Sequence, residues 1–330
     1  MRNQTMKGAL RGAVAAVALV VTGGAAAAAD VVEIIYSDTV QETDRRSGIL
    51  KEHFAGCLGD GFEFKPYFGA TLFKQGTELT AMQRGNLDMA NLASYDFENQ
   101  VPSASILGTG YLFRGYEHMR KVFDGDVMDG LFGEIQEKTG VKVLANPYIG
   151  TRHVNIKGDK KIMTPADMAG IKLRMPGGEG WQFLGKALGA NPTPVAFTEV
   201  YTALQTGTVD GQDNPLPTNK QMKFYEVTNQ IVLTSHRVAT NIFAMSGKKW
   251  NSLNDTQKAK VKECAMQFQA AMDQSTLGLE KEMADFFEKE GLKLYKPDID
   301  AFRNHALDMY KNSDYSKNWP AGLLEKINKI

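Results

Sequence analysis

Cysteine is nearly absent: the 330 residues hold two, Cys57 and Cys264. Two cysteines cannot build a disulfide scaffold or a multi-cysteine zinc site. Neither sign of charge is in excess, with 38 Lys+Arg against 38 Asp+Glu. That balance argues against a nucleic-acid binder, which normally carries a basic surplus. The five histidines, His53, His118, His153, His236 and His305, lie far apart with no metal-ligand spacing. No G-x-S-x-G, H-E-x-x-H, Walker loop or G-x-G-x-x-G occurs, so no cofactor is implied. These gaps weigh against an enzyme without excluding one, because catalytic groups can assemble from distant residues. Asp124-Gly-Asp126-Val-Met-Asp129-Gly130 has the outline of a calcium loop. It lacks a ligand at loop position 5 and places glycine at position 7, so it reads as a solvated turn. Beyond the N-terminus no apolar run is long enough to cross a bilayer.

What is present is a globular composition, 43% hydrophobic, 9% aromatic and 23% charged, with length for two ordinary domains. Residues 1–29 hold three bases (Arg2, Lys7 and Arg11) and no acid, then an apolar run from Gly12 to Val21, then Ala27-Ala28-Ala29. That is the pattern of a secretory signal peptide, so the mature chain is expected in the periplasm. Export permits a Cys57–Cys264 disulfide; two small buried thiols fit the sequence equally well.

Val31–Tyr36 reads as a central strand, Asp44–Leu58 as a helix and Phe62–Phe68 as a second strand. Glu78–Arg84 reads as a helix closed by Gly85, and Asn86–Leu92 as a third strand. Alternation of this kind implies an α/β lobe with a largely parallel sheet. A helix, a glycine stop and a strand bearing an aspartate recur at Glu199–Asp210, which suggests a second lobe of similar design. Loops beyond strand ends form ligand crevices in such sheets, so residues after Leu92 and after Asp210 are expected to face one cleft. Asn254-Asp255 can cap a helix of some 34 residues, ending at Gly291. Such a helix spans about 50 Å and could brace both lobes, unless it breaks near Gly278.

The stretch from Gly150 to Pro215 carries the chemistry. Thr164 and Pro165 form a helix start, and Ile171–Met175 forms a short strand that delivers Arg174 and stops at Pro176. A guanidinium between a strand end and a helix N-terminus suits a carboxylate, which it can grip with two parallel bonds. A structural ion pair would use the same residue.

Leu173-Arg174-Met175-Pro176, Leu188-Gly189-Ala190-Asn-Pro192, Phe197-Thr-Glu199-Val200-Tyr201 through Gly207, and Val209-Asp210-Gly211-Gln212-Asp213-Asn214-Pro215 resemble the solute-binding proteins of TRAP (tripartite ATP-independent periplasmic) transporters, of the DctP (dicarboxylate-binding) type. The resemblance implies an α/β two-lobe periplasmic solute-binding fold with a cleft between the lobes and a long C-terminal bracing helix. On that basis lobe I would comprise 30–150 plus about 240–280, and lobe II 151–239 plus about 281–330. It also implies a small organic-acid ligand and a sodium-driven permease with a small and a large membrane subunit. The sequence leaves the oligomeric state open, with a monomer as the default expectation. The family's carboxylate-binding arginine falls on Arg174, a second arginine on Arg152, the asparagine before proline on Asn214 and a pocket phenylalanine on Phe197. Ala93-Ser94-Tyr95-Asp96 departs from the sialic-acid-binding branch, lacking its Glu and Arg. Lys74 is a candidate extra cation, and Tyr95 and Trp181 are candidate aromatic walls. An exported hydrolase or lyase acting on an organic acid in the same cleft, or a ligand-sensing receptor subunit, are the competing functions.

Overall fold

The structure, a computed structural model, describes residues 31–330; the expected signal peptide lies outside the described residues. Two sheets organise the chain. The first has the order β2-β1-β3-β10-β4, from β1 (Val32–Ser37), β2 (Phe62–Tyr67), β3 (Met89–Leu92), β4 (Val141–Ala145) and β10 (Ile242–Ser246). β1 runs parallel to β2 and β3, while β10 lies antiparallel between β3 and β4. β1 is therefore second from the edge rather than central. The second sheet has the order β11-β9-β5-β8-β6-β7, from β5 (Tyr148–Ile156), β6 (Lys172–Met175), β7 (Asn191–Pro194), β8 (Gly211–Pro215), β9 (Gln230–Thr240) and β11 (Lys293–Tyr295). β6 is parallel to β7 and β8, and β5 is antiparallel to β8 and β9.

Local chemistry explains most boundaries. Asp44 accepts a hydrogen bond from the Arg46 amide and starts one helical run, Arg45–Leu58, whose middle turn widens over Leu50–Ala55. Gly85 and Gly207 close their helices at φ of 81° and 74°, where a side chain would be strained. The two matching aspartates then do the same work in the two sheets. The Asp88 carboxylate accepts from the Ile35 amide of β1, and Asp210 accepts from the Lys172 amide of β6, both at 2.9 Å. The repeated sequence thus encodes a repeated strand clasp.

The C-terminal helix runs unbroken from Asp255 to Lys289, 35 residues, straight through Gly278. Asn254 caps it by accepting from the Gln257 amide. Its first half sends Val261, Cys264, Phe268 and Met272 into the core around Tyr36, Phe54 and Phe243. Its second half sends Met283 and Phe287 against Leu216 and Ile231 beside the second sheet. Each such side chain contributes about 1.5–3 kcal/mol when fully buried, so one helix secures both sheets. A Cys57–Cys264 disulfide, with Cα atoms 5.5 Å apart, ties the same helix to the end of the Arg45–Leu58 run. The final helix, Leu323–Lys329, returns to the first sheet's side: Leu323 and Ile327 pack in the core that holds Leu79, Leu92 and Met119. The expected grouping of 281–330 with the second lobe meets this crossing at its far end. Among the described residues no helix is long and apolar enough to cross a membrane.

Candidate functional site

Arg174 sits on β6, one residue before Met175 and two before Pro176, and is 1% exposed. Proline ends the strand, Gly178 turns at φ 107°, and the helix Glu179–Ala187 follows. The Arg174 Nε donates to the Val195 carbonyl at 2.9 Å. Its Nη2 is sealed from solvent and has no hydrogen-bond partner among the described residues. Burial pushes this guanidinium down to about 9, still charged at neutral pH. A buried cation without its own carboxylate is costly unless something else supplies the negative charge.

Arg152, on β5, is handled differently. Its Nε and Nη2 meet the Asp213 carboxylate at 2.6 and 3.0 Å, and Nη2 also donates to the Asp213 carbonyl at 2.5 Å. His236 Nε2 lies 3.0 Å from the same carboxylate. Burial opposes ionisation of Asp213, yet Arg152 and the His236 bond hold it far below the usual carboxylate range. Burial also lowers His153, to about 3, so that ring is neutral. Asn214 on β8 donates to Gln212 Oε1 at 2.6 Å, and Gln212 in turn donates to Asn155 and Asn219. This amide ladder fixes the Asn214 side chain. Two guanidiniums, Arg152 and Arg237, each lie 4.8 Å from the Trp181 ring.

Arg174, Arg152, Asn214 and Trp181 line one side of a cavity of about 90 Å³, together with Phe197. The opposite side comes from β3, the start of the Glu78–Arg84 helix and the first sheet's loops, and carries Asp38, Gln75, Glu78, Asn91 and Asp96. Burial pushes Glu78 up to about 8 and Asp96 up to about 6, and raises Asp38. Gln75 reaches across, accepting from the Phe197 amide at 2.9 Å. Arg46 is also present but paired, its Nε and Nη2 on Asp44 at 2.9 and 2.7 Å. The segments after Leu92 and after Asp210 do meet here, through Ala93, Asp96 and Asn214.

Of the residues singled out from sequence, Arg174, Arg152, Asn214, Phe197 and Trp181 line the cavity. Lys74 and Tyr95 do not. Lys74 lies exposed on its turn, and the neighbouring Gln75 faces inward instead. The Tyr95 ring lies behind Trp181, 4.4 Å from it, with its hydroxyl bonded to the Gly108 carbonyl. The carboxyl face escaped sequence reasoning. Glu78 opens a helix and Asp38 follows a strand, positions where acids are ordinary, so nothing local marks them as inward-facing. Among the described residues no group of three or more His, Cys, Asp or Glu is arranged to hold a metal.

Two α/β lobes around a cavity that holds a buried, uncompensated guanidinium define a two-lobe solute-binding protein. The chain belongs to the DctP family, bacterial extracellular solute-binding protein family 7, which it matches over residues 50–317. It is 33% identical over 254 residues to the sialic acid-binding periplasmic protein SiaP of Vibrio cholerae, covering 77% of this chain and 78% of that protein. A TRAP periplasmic solute-binding protein from Roseobacter denitrificans, with bound 3-deoxy-D-manno-oct-2-ulosonic acid, has 44% identity and a TM-score of 0.89. The alignment covers 91% of this chain and 99% of that one. Another from Polaromonas, bound to D-erythronate, has 26% identity and a TM-score of 0.82, with 91% and 99% coverage. The protein is a solute-binding protein of the TRAP transporter type. These three relatives bind acids: sialic acid for SiaP, and 3-deoxy-D-manno-oct-2-ulosonic acid and D-erythronate for the two solved structures.

Proposed function

We propose that the protein captures a polyhydroxylated monocarboxylate, a sugar acid, and presents it to a sodium-coupled TRAP permease with a small and a large membrane subunit. Residues 1–29 act as the signal peptide that delivers it to the periplasm, where it works as a monomer and not as an enzyme. The observation that carries this reading is the opposition of charge across the cavity. On one side Arg174 lacks a carboxylate of its own, since Asp213 is already engaged by Arg152 and His236. A ligand carboxylate supplies that charge, with each charge-assisted bond worth about 1.5–3 kcal/mol. On the other side Asp38, Glu78 and Asp96 offer oxygens to hydroxyl groups, and the cation lining that side, Arg46, is already held by Asp44, so a second carboxylate finds no partner there. A dicarboxylate therefore fits worse than an acid with a hydroxylated tail. The relative with a bound eight-carbon ulosonic acid supports the same class.

Closing the lobes removes water and strengthens each of these bonds. Binding then favours the closed form by its differential affinity, which marks the loaded state. Isothermal titration with 3-deoxy-D-manno-oct-2-ulosonate, D-galactonate, D-glucuronate, N-acetylneuraminate, succinate and D-glucose tests the reading. Micromolar or tighter binding of a hydroxylated monocarboxylate, with succinate and glucose at least 100-fold weaker, is expected. Preference for succinate or glucose would overturn it. Preference for N-acetylneuraminate would move the assignment to the SiaP branch while keeping the class.

A further inference from the structure

Tyr95 connects the two lobes without lining the cavity. It follows β3 of the first sheet, yet its ring packs with Trp181, Leu184 and Met175 in the core beside the second sheet. Two glycines make room for it. A β-carbon on Gly108, in its own lobe, would overlap the Tyr95 ring, and so would one on Gly180, in the first turn of the helix Glu179–Ala187 across the cleft. Neither glycine has a positive φ, so neither is required by backbone geometry. Space for this ring is the reason for glycine at both places.

Arg237 completes the contact. It comes from β9, lies 5.0 Å over the Tyr95 ring and 4.8 Å over Trp181, and donates from Nη2 to Ser94 Oγ at 2.9 Å. The stack therefore alternates between lobes: Tyr95 and Ser94 from one, and Trp181, Gly180 and Arg237 from the other. Trp181 then passes the contact to Arg152, whose guanidinium lies 4.8 Å from the same ring, and Arg152 lines the cavity.

We propose that the Tyr95 ring, seated on Gly180 and stacked on Trp181, is a clamp that holds the lobes closed over a bound solute without touching that solute. Tyr95 and Gly180 are positioning residues: they set how long the closed form lasts, while the cavity residues set what it holds. A ring buried against a second aromatic and a guanidinium must be pulled out whenever the cleft opens, so the clamp slows release. It takes no part in first encounter, which depends on the open cleft.

The proposal rests on the functional reading above only for its probe. Stopped-flow association and dissociation of 3-deoxy-D-manno-oct-2-ulosonate would be measured on the wild type and on Gly180→Ala, Tyr95→Ala and Tyr95→Phe. Gly180→Ala and Tyr95→Ala should each release the acid about tenfold faster, with association within about threefold of wild type. Tyr95→Phe keeps the ring and should release it within about threefold of wild type, which a hydroxyl-based role would not allow. Wild-type release from Gly180→Ala and Tyr95→Ala, or a loss of affinity carried by association alone, would overturn the clamp. If the wild type binds D-glucose and none of the acids, the functional reading fails. The same three rate comparisons, made with D-glucose, then decide the clamp separately.

Discussion

The two faces of the cavity solve the problem of buried charge in opposite ways. The second-sheet face keeps its ionised groups ionised. Arg152 and Asp213 neutralise each other at 2.6 Å, and Arg174 stays charged with its nearest acid already engaged. The first-sheet face lets its acids drift toward the neutral form, with Glu78 raised to about 8 and Asp96 to about 6. Under the proposed function, a fixed positive charge facing acids of lowered charge would orient a ligand, with its carboxylate at Arg174 and its hydroxyls opposite. Selectivity among acids then falls to the face with the weaker charges, where small changes of side chain change which hydroxyls are satisfied.

The sharpest way to break this contrast is Arg174→Ala. Removing two charge-assisted bonds should cost about 3–5 kcal/mol of binding, a loss of about 150-fold or more by isothermal titration. The fold should survive, because an uncompensated buried cation is lost and not a pair. Binding within threefold of wild type would show that the carboxylate docks elsewhere. Asp213→Asn attacks the same face differently. It leaves Arg152 buried without its counter-charge, which should cost about 3 kcal/mol in denaturant unfolding. A variant within 1 kcal/mol of wild type would mean that Arg152 finds another partner, and that the two faces differ less than their geometry suggests.

The acidic face is tested by pH. Glu78 has its folded pKa raised from 4.5 to about 8, chiefly by burial and then by the charges of Asp96 and Asp38. A carboxyl that binds its proton more tightly when folded contributes stability that is full below about 4.5. That contribution is lost as pH rises through about 8. Wild-type melting temperature should therefore fall between pH 6 and 9, and Glu78→Gln should fall less. An identical slope in both proteins would place the ionisation on another group and leave Glu78 an ordinary solvated acid.

Much of this was legible in the sequence, for identifiable reasons. Glycine stops, an Asn cap and strand-ending prolines are local, so Glu78–Arg84, β6 and the Asp255–Lys289 helix could be placed from their own residues. Arg174 was legible because strand, proline and helix start are contiguous around it. The acidic face was not, because Asp38, Glu78 and Asp96 converge from three separate turns and each looks ordinary alone. The Cys57–Cys264 contact was not either, since 207 residues separate the two and only the long helix brings them together. Tyr95 is a related case: an aromatic beside a cleft can face it or back it, and sequence does not record which.

Lys74 and Gln75 offer the finest test, because adjacent residues on one turn point to opposite sides. The Lys74 ammonium lies in solvent, and it is the Lys74 carbonyl that serves the fold, accepting from the Thr77 amide at 3.0 Å and hydroxyl at 2.8 Å. The Gln75 amide oxygen bridges to Phe197 on the other face. Lys74→Ala should therefore change affinity by about twofold at most, with what effect remains confined to low salt, since an exposed charge at that range is screened. Gln75→Ala should cost about 1 kcal/mol, roughly fivefold in affinity, because a bond that forms across the cleft is lost. Titrations at 50 and 300 mM salt would separate the two. A larger loss from Lys74→Ala than from Gln75→Ala would mean that the lysine swings inward on binding, and that the acidic face gains an unpaired cation beside the paired Arg46.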